Sequence, residues 1–500
     1  MSLAIVHSRA RVGMDAPPVT VEVHLSNGLP SLSMVGLPET AVKESKDRVR
    51  SAILNSQFDF PARRITINLA PADLPKEGGR FDLPIALGIL AASSQIPGTE
   101  LEHYEFAGEL ALSGELRAIQ GILPMTLQTH RAGRSLIIPT ENIAEAMLVK
   151  DARVLAGEHL LTVTGHFTHT RRLEYETVVT SATPVIPLPD LADVRGQHHA
   201  RRALEIAAAG NHNLLFLGPP GTGKSLLAGR LPGILPEMTE AEALETAAIT
   251  SVSGKPVDTR YWKCRAFRAP HHTASAVALV GGGSSPRPGE ISLANNGILF
   301  LDELPEFDRR VLEVLREPLE SGRIMISRAA QQMEFPARFQ LIAAMNPCPC
   351  GYLGDPSGRC HCNIDQIERY RRKISGPLLD RIDMHVEVPR LSFAEMDGPA
   401  GESSAAVHAR VTAARDRQTQ RSHTLNSQLD SRQLDDFCHL RKADRLLLQQ
   451  AMERLQLSAR AYHRILKVAR TIADIAGSLG IERAHISEAI NYRKLDRHSI

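Results

Sequence analysis

The glycine-rich segment 218–225 carries residue types that bind phosphate. It reads Gly-Pro-Pro-Gly-Thr-Gly-Lys-Ser and fits the phosphate-loop pattern G-x-x-x-x-G-K-[ST]. Glycines allow backbone N–H groups to approach phosphate oxygens, and the N-terminus of a following helix adds partial positive charge. Lys224 would reach the β- and γ-phosphates, and the Ser225 hydroxyl would bind Mg²⁺. The segment predicts an ATP site formed by Gly218, Pro219, Pro220, Gly221, Thr222, Gly223, Lys224 and Ser225.

A second segment supplies two acidic side chains. Residues 298–303 read Ile-Leu-Phe-Leu-Asp-Glu, an apolar run of strand length that ends in two carboxylates. Asp302 would hold the Mg²⁺ ion through water, and Glu303 would orient the attacking water. A chance glycine-rich turn is the alternative interpretation of the first motif, and this acidic strand downstream disfavours it. The two segments together predict hydrolysis of a nucleoside triphosphate.

Four of the six cysteines lie close together, within the segment 346–363. They form a C-x-C pair, nine intervening residues and a second C-x-C pair. In a cytosolic chain such pairs bind metal more often than they form disulfides, and thiolates suit tetrahedral zinc. Reduced thiols without metal and a redox role are the alternatives, and His361 could replace one ligand. The segment predicts a structural zinc site at Cys348, Cys350, Cys360 and Cys362.

The elements around the phosphate loop have the order that the motif requires. Leu214–Leu217 is an apolar run typical of a buried parallel strand, and residues 226–230 read as the start of a helix. The chain has 500 residues, of which 43% are hydrophobic and 23% charged, which is typical of several globular domains. No long apolar run predicts a membrane span, and the N-terminus lacks the apolar core of a signal peptide. We therefore expect a cytoplasmic location.

Pattern changes along the chain predict four segments. Alternating strands and a charged helix in residues 1–165 indicate a mixed α/β or α+β domain. Residues 166–189, rich in Thr, Ser, Pro and Arg, are interpreted as a linker. The phosphate-loop core is expected at 190–390. Residues 391–500 are expected to be helical.

Two further motifs resemble those of the AAA+ ATPases, specifically the clade of magnesium-chelatase ATPase subunits and MCM helicases. Residues 343–347 read Ala-Ala-Met-Asn-Pro, and residues 376–383 read Gly-Pro-Leu-Leu-Asp-Arg-Ile-Asp. The resemblance implies that Asn346 is the sensor contacting the γ-phosphate or water, and that Arg381 is an arginine finger. A finger serves a neighbouring subunit and implies a ring, commonly a hexamer. A salt bridge from Arg381 to Asp380 or Asp383 is the alternative.

The C-terminal region resembles the helical lid of the same clade. Residues 457–460 read Leu-Ser-Ala-Arg and open a predicted helix. The resemblance implies that Arg460 is a second sensor arginine, with Arg464 as the alternative.

The first domain resembles the Lon protease domain. The resemblance rests on residues 106–117 and 131–139, and residues 75–82 lie where Lon carries its nucleophile. Lon uses a Ser–Lys dyad, whereas here the two positions hold Arg80 and approximately Leu123. Because a nucleophile needs an activatable hydroxyl, the resemblance implies a domain without protease activity.

The order of these parts, and strings such as Phe-Arg-Ala-Pro-His-His at 267–272, resemble the ComM/YifB family over nearly the whole chain. The resemblance implies an α/β multidomain protein with a degenerate Lon-protease-like α+β N-domain, an AAA+ P-loop parallel-sheet core and a C-terminal helical lid. It also implies a homohexameric helicase that binds branched or single-stranded DNA and promotes branch migration during recombination or natural transformation. A chelatase-like motor and a protein-remodelling ATPase are the rival functions.

Two segments are candidates for contact with DNA in the channel of such a ring. In the hairpin 322–335, Arg323 and Arg328 bracket an alternating strand and would bind phosphate without sequence preference. Pairing of both arginines with Glu320 or Glu334 is the alternative. For the two histidines in the long insert before Asp302, a packed loop or a metal pair is the alternative. The candidates in this insert are Arg265, Arg268, His271, His272 and the glycines 281–283.

Overall fold

The computed structural model describes residues 3–36, 40–177, 187–283, 286–327, 332–355 and 358–493. The chain divides into two compact units, one formed by residues 1–185 and 243–262 and the other by residues 186–242 and 263–500. Part of the predicted linker, residues 178–186, lies outside the described residues. Within the described residues, no helix is long and apolar enough to cross a membrane.

The first unit is built on a seven-stranded sheet of order β3-β4-β2-β1-β5-β8-β9. β1 pairs antiparallel with β2, which pairs antiparallel with β4, while β5, β8 and β9 continue the sheet in parallel. The strands are β1 (Leu3–Arg9), β2 (Pro18–Ser26), β3 (Ser31–Val35), β4 (Arg64–Ala70), β5 (Tyr104–Phe106), β6 (Glu109–Leu110), β7 (Leu116–Arg117), β8 (Ser135–Pro139) and β9 (Val154–Gly157). The helices are α1 (Thr40–Asn55), α2 (Asp82–Ala92), α3 (Ile122–Arg131), α4 (Ile143–Ala146) and α5 (Leu160–Phe167).

Helix α2 forms the centre of this unit because its sequence is apolar on all sides. Every residue from Asp82 to Ala92 is buried, as expected for a helix without a polar face. The helix packs on β1 and β2 so closely that a Cβ atom on Gly88 would lie 2.5 Å from Cγ2 of Val23. The mixed α/β character predicted for the first domain is confirmed.

The two positions compared with the protease dyad are buried and engaged. Arg80 donates from Nη2 to the backbone oxygen of Gln120 over 2.6 Å, and burial lowers the pKa of Arg80 to about 10. Leu123 lies in an apolar cluster with Val149, Ala247 and Ala248. Ala247 and Ala248 belong to helix α8 (Glu240–Ser253), whose residues from 243 onward are part of the first unit. The relation of this unit to Lon stays a prediction.

The second unit contains a five-stranded parallel sheet of order β11-β14-β17-β10-β18. This confirms the parallel-sheet core expected from the phosphate-loop motif. The strands are β10 (Leu214–Leu217), β11 (Phe267–Arg268), β12 (Gly281–Gly282), β13 (Arg287–Pro288), β14 (Ile298–Leu301), β15 (Arg323–Ser327), β16 (Gln332–Pro336), β17 (Gln340–Met345) and β18 (Met384–Glu387). The helices before the lid are α6 (His198–Gly210), α7 (Lys224–Ala228), α9 (Ala276–Val280), α10 (Glu290–Leu293), α11 (Arg309–Glu313), α12 (Arg316–Ser321), α13 (Ile364–Arg371), α14 (Gly376–Leu379) and α15 (Phe393–Met396).

The C-terminal region is helical, as predicted. It consists of α16 (Ser404–Ser422), α17 (Ser431–Phe437), α18 (Lys442–Leu455), α19 (Ala459–Ile475) and α20 (Arg483–Asn491). These helices share one hydrophobic core with α6 and the sheet, to which Leu204, Phe216 and Ile465 contribute. A buried polar group sits within this packing, because Asp474 accepts from Arg421, Arg470 and Asn426. Apolar contacts therefore join the lid to the sheet, and this charged cluster holds the lid helices to one another.

Candidate functional site

Three parallel strands deliver the candidate nucleotide residues to one edge of the sheet. β17 lies between β10 and β14 in parallel register. The phosphate loop follows β10, Asp302 follows β14 and Asn346 follows β17. In open parallel sheets, ligands bind outside the carboxyl ends of the strands. A cavity of about 390 Å³ lies here, lined by Pro220, Gly221, Thr222, Gly223, Lys224, Ser225, Leu226, Asp302, Glu303, Met345 and Asn346.

The backbone of the phosphate loop needs its glycines. Gly221 and Gly223 have φ angles of 76° and 89°, in the left-handed region that other residues rarely adopt. Gly218 lies so close to the segment after β18 that a Cβ atom on it would be 2.2 Å from the backbone oxygen of Val388. Helix α7 then begins at Lys224. The loop conformation thus follows from the spacing of the three glycines.

The ammonium group of Lys224 lies in the mouth of this loop. It donates to the backbone oxygens of Gly218 and Pro219 over 2.7 and 2.8 Å, and to Oδ1 of Asn346 over 3.1 Å. Burial lowers the pKa of Lys224, although the nearby charges of Asp302 and Glu303 oppose this shift. Phosphate oxygens are stronger acceptors than neutral carbonyls. The side chain is therefore placed to exchange these partners for a phosphate.

A hydroxyl and a carboxylate suited to Mg²⁺ lie beside the lysine. The Ser225 hydroxyl donates to Oδ2 of Asp302 over 2.5 Å. The other oxygen of Asp302 accepts from the backbone N–H of Glu303 over 2.9 Å, which fixes the orientation of the carboxylate. Hydroxyl and carboxylate oxygens are the ligands that Mg²⁺ prefers. These residues therefore fit the ion that their motifs predict.

Glu303 adopts a left-handed backbone conformation, with φ of 52°. Its Oε2 lies 3.3 Å from Nδ1 of His272. The His272 ring packs against His271, with 4.1 Å between the ring centroids. The sequence analysis missed this contact. The position of His272 in the sequence could have indicated the contact. His272 follows β11, which pairs in parallel with β14, so both strands end at the same edge of the sheet.

The candidate arginines lie in a different cavity. Arg381, Arg460 and Arg464 line a space of about 530 Å³ that shares no lining residue with the nucleotide cavity. The predicted alternative partners of Arg381, Asp380 and Asp383, are not the ones that it binds. Its Nη2 donates to Oε1 of Glu320, which reaches it from α12.

Arg464 and Arg460 differ in their contacts although they lie one turn apart on α19. Arg464 pairs with the buried carboxylate of Asp383. Burial raises the pKa of Asp383, but the charges of Arg464 and His212 outweigh it and lower that pKa overall. Arg460 is exposed and has no ionic partner among the described residues. Of the two candidates for a second sensor, Arg460 is the one available to a ligand.

The four clustered cysteines converge in space. Their Sγ atoms all lie within 4.8 Å of one another, and three of the distances are 3.3, 3.6 and 3.8 Å. Tetrahedral zinc with Zn–S bonds of about 2.3 Å would separate its sulfurs by about 3.8 Å. His361 is not part of this group. The cluster of Cys348, Cys350, Cys360 and Cys362 is compatible with a zinc site.

Comparisons with known proteins agree with this architecture. The family model "Magnesium chelatase, subunit ChlI" matches residues 190–396, "Subunit ChlI of Mg-chelatase" matches 21–142, and "Magnesium chelatase, subunit ChlI C-terminal" matches 401–493. Competence protein ComM of Haemophilus influenzae is 53% identical over 99% of this chain and 98% of its own length. The YifB protein of Salmonella typhimurium is 53% identical with the same coverage. The chain belongs to the ComM/YifB family of magnesium-chelatase-like proteins.

More distant similarity extends to the chelatases. The magnesium-chelatase 38 kDa subunit of Cereibacter sphaeroides is 26% identical over 32% of this chain and 53% of its own length. Membership of this AAA+ family indicates an ATPase that uses Mg²⁺.

In this ComM/YifB chain, two of the predicted DNA contacts are occupied by internal partners. Arg268 forms a bidentate ion pair with Glu290, in which Nε donates to Oε2 over 2.6 Å and Nη2 donates to Oε1 over 2.7 Å. Arg265 donates to the backbone oxygens of Pro236 and Asn296. Both guanidinium groups therefore have partners within the insert. The glycines 281 and 282 form β12, which pairs with β13 in a short ribbon.

The hairpin of β15 and β16 presents one arginine to solvent. Ile324 and Ile326 are buried, whereas Arg323 is exposed. Arg323 pairs with Glu334 over 2.6 Å, with the two side chains 68% and 43% exposed. This is the alternative partner that the sequence offered. Exposed pairs of this kind contribute about 0–1 kcal/mol, so a phosphate can displace the carboxylate. Arg328 lies outside the described residues.

We expect His272→Ala to lower kcat for ATP hydrolysis roughly fivefold with KM unchanged. Loss of the contact frees the Glu303 carboxylate to leave its productive orientation, which costs about 1 kcal/mol. His272→Gln, which keeps a polar group at this position, should recover part of the rate. Steady-state ATPase kinetics, with Glu303→Gln as the inactive reference, make the measurement. A kcat above wild type would instead mean that His272 holds Glu303 away from the water.

Proposed function

We propose that this protein is an ATP-driven DNA motor that works as a homohexameric ring. It would bind branched or single-stranded DNA and promote branch migration during recombination or natural transformation. The observation that carries the proposal is the separation of the nucleotide residues from the arginines, which lie in two cavities of one chain without a shared lining residue.

The chemistry of phosphoryl transfer explains why this separation matters. Lys224 is the only cationic residue among those that line the nucleotide cavity. The transition state spreads negative charge over the transferring group, and an arginine supplied in trans can raise the rate roughly 10³–10⁵-fold. A second copy of the chain could bring Arg381 and Arg460 to this cavity. A head-to-tail interface of this type closes into a ring when its rotation permits.

The proposal of DNA as the substrate has two supports. The relative from Haemophilus influenzae is named for competence, and DNA uptake is the process that this word describes. The hairpin of β15 and β16 exposes Arg323 at its base, where it could bind a phosphate backbone. Contacts of this kind carry no sequence preference, which suits a motor that moves along DNA.

A chelatase-like or protein-remodelling ATPase is the second candidate. It is favoured by the three family models, all of which describe magnesium-chelatase subunits. The two functions differ in the effector that accelerates ATP hydrolysis. A DNA motor hydrolyses ATP faster when DNA is bound, whereas a remodeller responds to its protein partner.

We also propose that the four-cysteine cluster holds one structural Zn²⁺ ion. The Sγ–Sγ distances of 3.3, 3.6 and 3.8 Å are close to those of tetrahedral coordination, and Cys348 is fully buried. The cluster lies directly after Asn346 and against the phosphate loop, since a Cβ atom on Gly351 would lie 2.8 Å from Cδ of Pro220. Zinc at this position would fix Asn346 relative to the phosphate loop.

The finger assignment can be tested by mixing two inactive proteins. Arg381→Ala subunits keep an intact phosphate loop, and Lys224→Ala subunits keep an intact finger. If Arg381 acts in trans, mixed rings should regain part of the ATPase activity at interfaces that join an intact loop to an intact finger. ATP hydrolysis is measured across mixing ratios, with ring assembly checked by sedimentation. No recovery in assembled mixed rings would show that Arg381 is a structural residue.

The zinc assignment predicts about one metal equivalent per chain. Protein purified without added zinc should contain it, and Cys360→Ser with Cys362→Ser should lose it. The melting temperature should fall as well, because structural zinc couples binding to folding. Elemental analysis and thermal denaturation make the measurement, and Cys264→Ser, which lies outside the cluster, is the matched control. A metal-free wild-type protein that is folded and active would contradict the proposal.

The hairpin assignment predicts that Arg323→Ala with Arg328→Ala weakens stimulation of the ATPase by DNA. Each lost phosphate contact should also reduce the slope of log affinity against log salt by about 0.7–0.9. Fluorescence anisotropy with labelled single strands and forks gives this slope. Arg372→Ala is the matched control, because Arg372 forms a similar exposed pair with Glu368 in the same unit. Unchanged DNA binding in the double variant would move the contact elsewhere.

A further inference from the structure

The guanidinium group of Arg381 is bound within its own chain. Its side chain is only 9% exposed. Nη1 donates to the backbone oxygen of Pro377 over 2.6 Å, and Nη2 donates to Glu320. In this arrangement the charge of Arg381 is neutralised and both of its Nη groups donate within the chain. The guanidinium group cannot reach a nucleotide on a neighbouring copy until its ion pair with Glu320 breaks.

The docked position of Arg381 is also incompletely satisfied. Its Nε is buried and has no hydrogen-bond partner among the described residues. A buried donor without an acceptor carries a desolvation cost. Glu320 is 58% exposed, and ion pairs with an exposed partner are weak because water competes for the charges. The ion pair between Arg381 and Glu320 can therefore be broken by a modest force or replaced by a stronger acceptor for Arg381.

Glu320 is joined to the base of the hairpin by a short and tightly bonded connection. It is the second-last residue of α12, and β15 begins three positions later at Arg323. The Ser321 hydroxyl donates to the backbone oxygen of Arg323 over 3.0 Å and accepts from its backbone N–H over 3.2 Å. These bonds tie Ser321, the residue after Glu320, to the start of β15.

The turn between α12 and β15 restricts this connection further. Gly322 has a φ of 68°, and a Cβ atom here would lie 2.9 Å from Cγ of Arg338. The backbone oxygen of Gly322 accepts from the N–H of Ala337, which follows β16. Both strands of the hairpin are thereby held to the end of α12. The turn that follows Glu320 is therefore restricted and not loose.

We propose that Glu320 is a positioning residue that couples the hairpin of β15 and β16 to Arg381. In the unloaded chain Glu320 holds the guanidinium group against α14. When DNA displaces the hairpin, Glu320 moves with it, and Arg381 is released to the nucleotide of the adjacent subunit. This inference rests on the proposed role of Arg381 in trans.

Glu320→Gln in the full-length ring tests the coupling. Loss of the ion pair should raise the DNA-free kcat for ATP about fivefold, the change that corresponds to roughly 1 kcal/mol. KM for ATP should stay constant, because the nucleotide cavity is untouched, and stimulation by an added single-stranded oligonucleotide should shrink accordingly. Glu317→Gln is the matched control, since Glu317 is an exposed acid on the same helix. It should behave like wild type.

Two further variants separate the outcomes. Adding Arg381→Ala to Glu320→Gln should abolish the gain, since the gain depends on a released guanidinium group. Glu320→Asp, which keeps the charge but shortens its reach, should give a smaller increase and decides the matter if Glu320→Gln does not fold. A folded, ring-forming Glu320→Gln protein with unchanged or lower DNA-free kcat would overturn the coupling. Wild-type hydrolysis by Arg381→Ala alone would instead overturn the proposed role of Arg381.

Discussion

The parallel alignment of β10, β14 and β17 is the constraint on which the site depends. Each strand ends at the same edge of the sheet and is followed directly by functional groups. Lys224 and Asn346 are separated by 122 residues in the chain and meet within 3.1 Å because of this alignment. The buried apolar side chains of these strands stabilise the sheet. A loss of register would separate Lys224, Asp302 and Asn346 at once.

The nucleotide residues and the candidate arginines lie apart within one chain. The nucleotide cavity is lined by one lysine, two hydroxyl side chains, two carboxylates and the amide of Asn346, while the arginines line a second cavity to which the lid contributes. Under the proposed role of Arg381 in trans, this division makes hydrolysis depend on assembly, because an arginine stabilises the charge that develops during phosphoryl transfer. It also allows control, since Arg381 can be held back by Glu320 without any change to the nucleotide residues.

Buried charges connect the lid to the sheet. Asp383, next to β18, accepts from the backbone N–H of Asn213 before β10 and pairs with Arg464 of the lid. Removal of one partner from such a pair leaves an uncompensated buried charge, which is strongly destabilising. The position of α19, and therefore of Arg460, is set by this anchor together with the apolar core. The lid thus presents Arg460 from a fixed site.

The local motifs were determined by the sequence itself. The glycine spacing of the phosphate loop, the acids after β14 and the two C-x-C pairs each act over a few residues, so their type and order were sufficient to predict them. The parallel core and the helical C-terminal region also followed from the hydrophobic pattern.

The sequence did not predict which distant side chains pair with one another. Arg381 binds Glu320, 61 residues away, and not Asp380 or Asp383. Arg464 is taken by Asp383, and His272 meets Glu303 across two strand ends. Those contacts depend on how distant elements pack, because a charged side chain binds whichever partner the folded backbone brings within reach, and residue spacing carries no information on that.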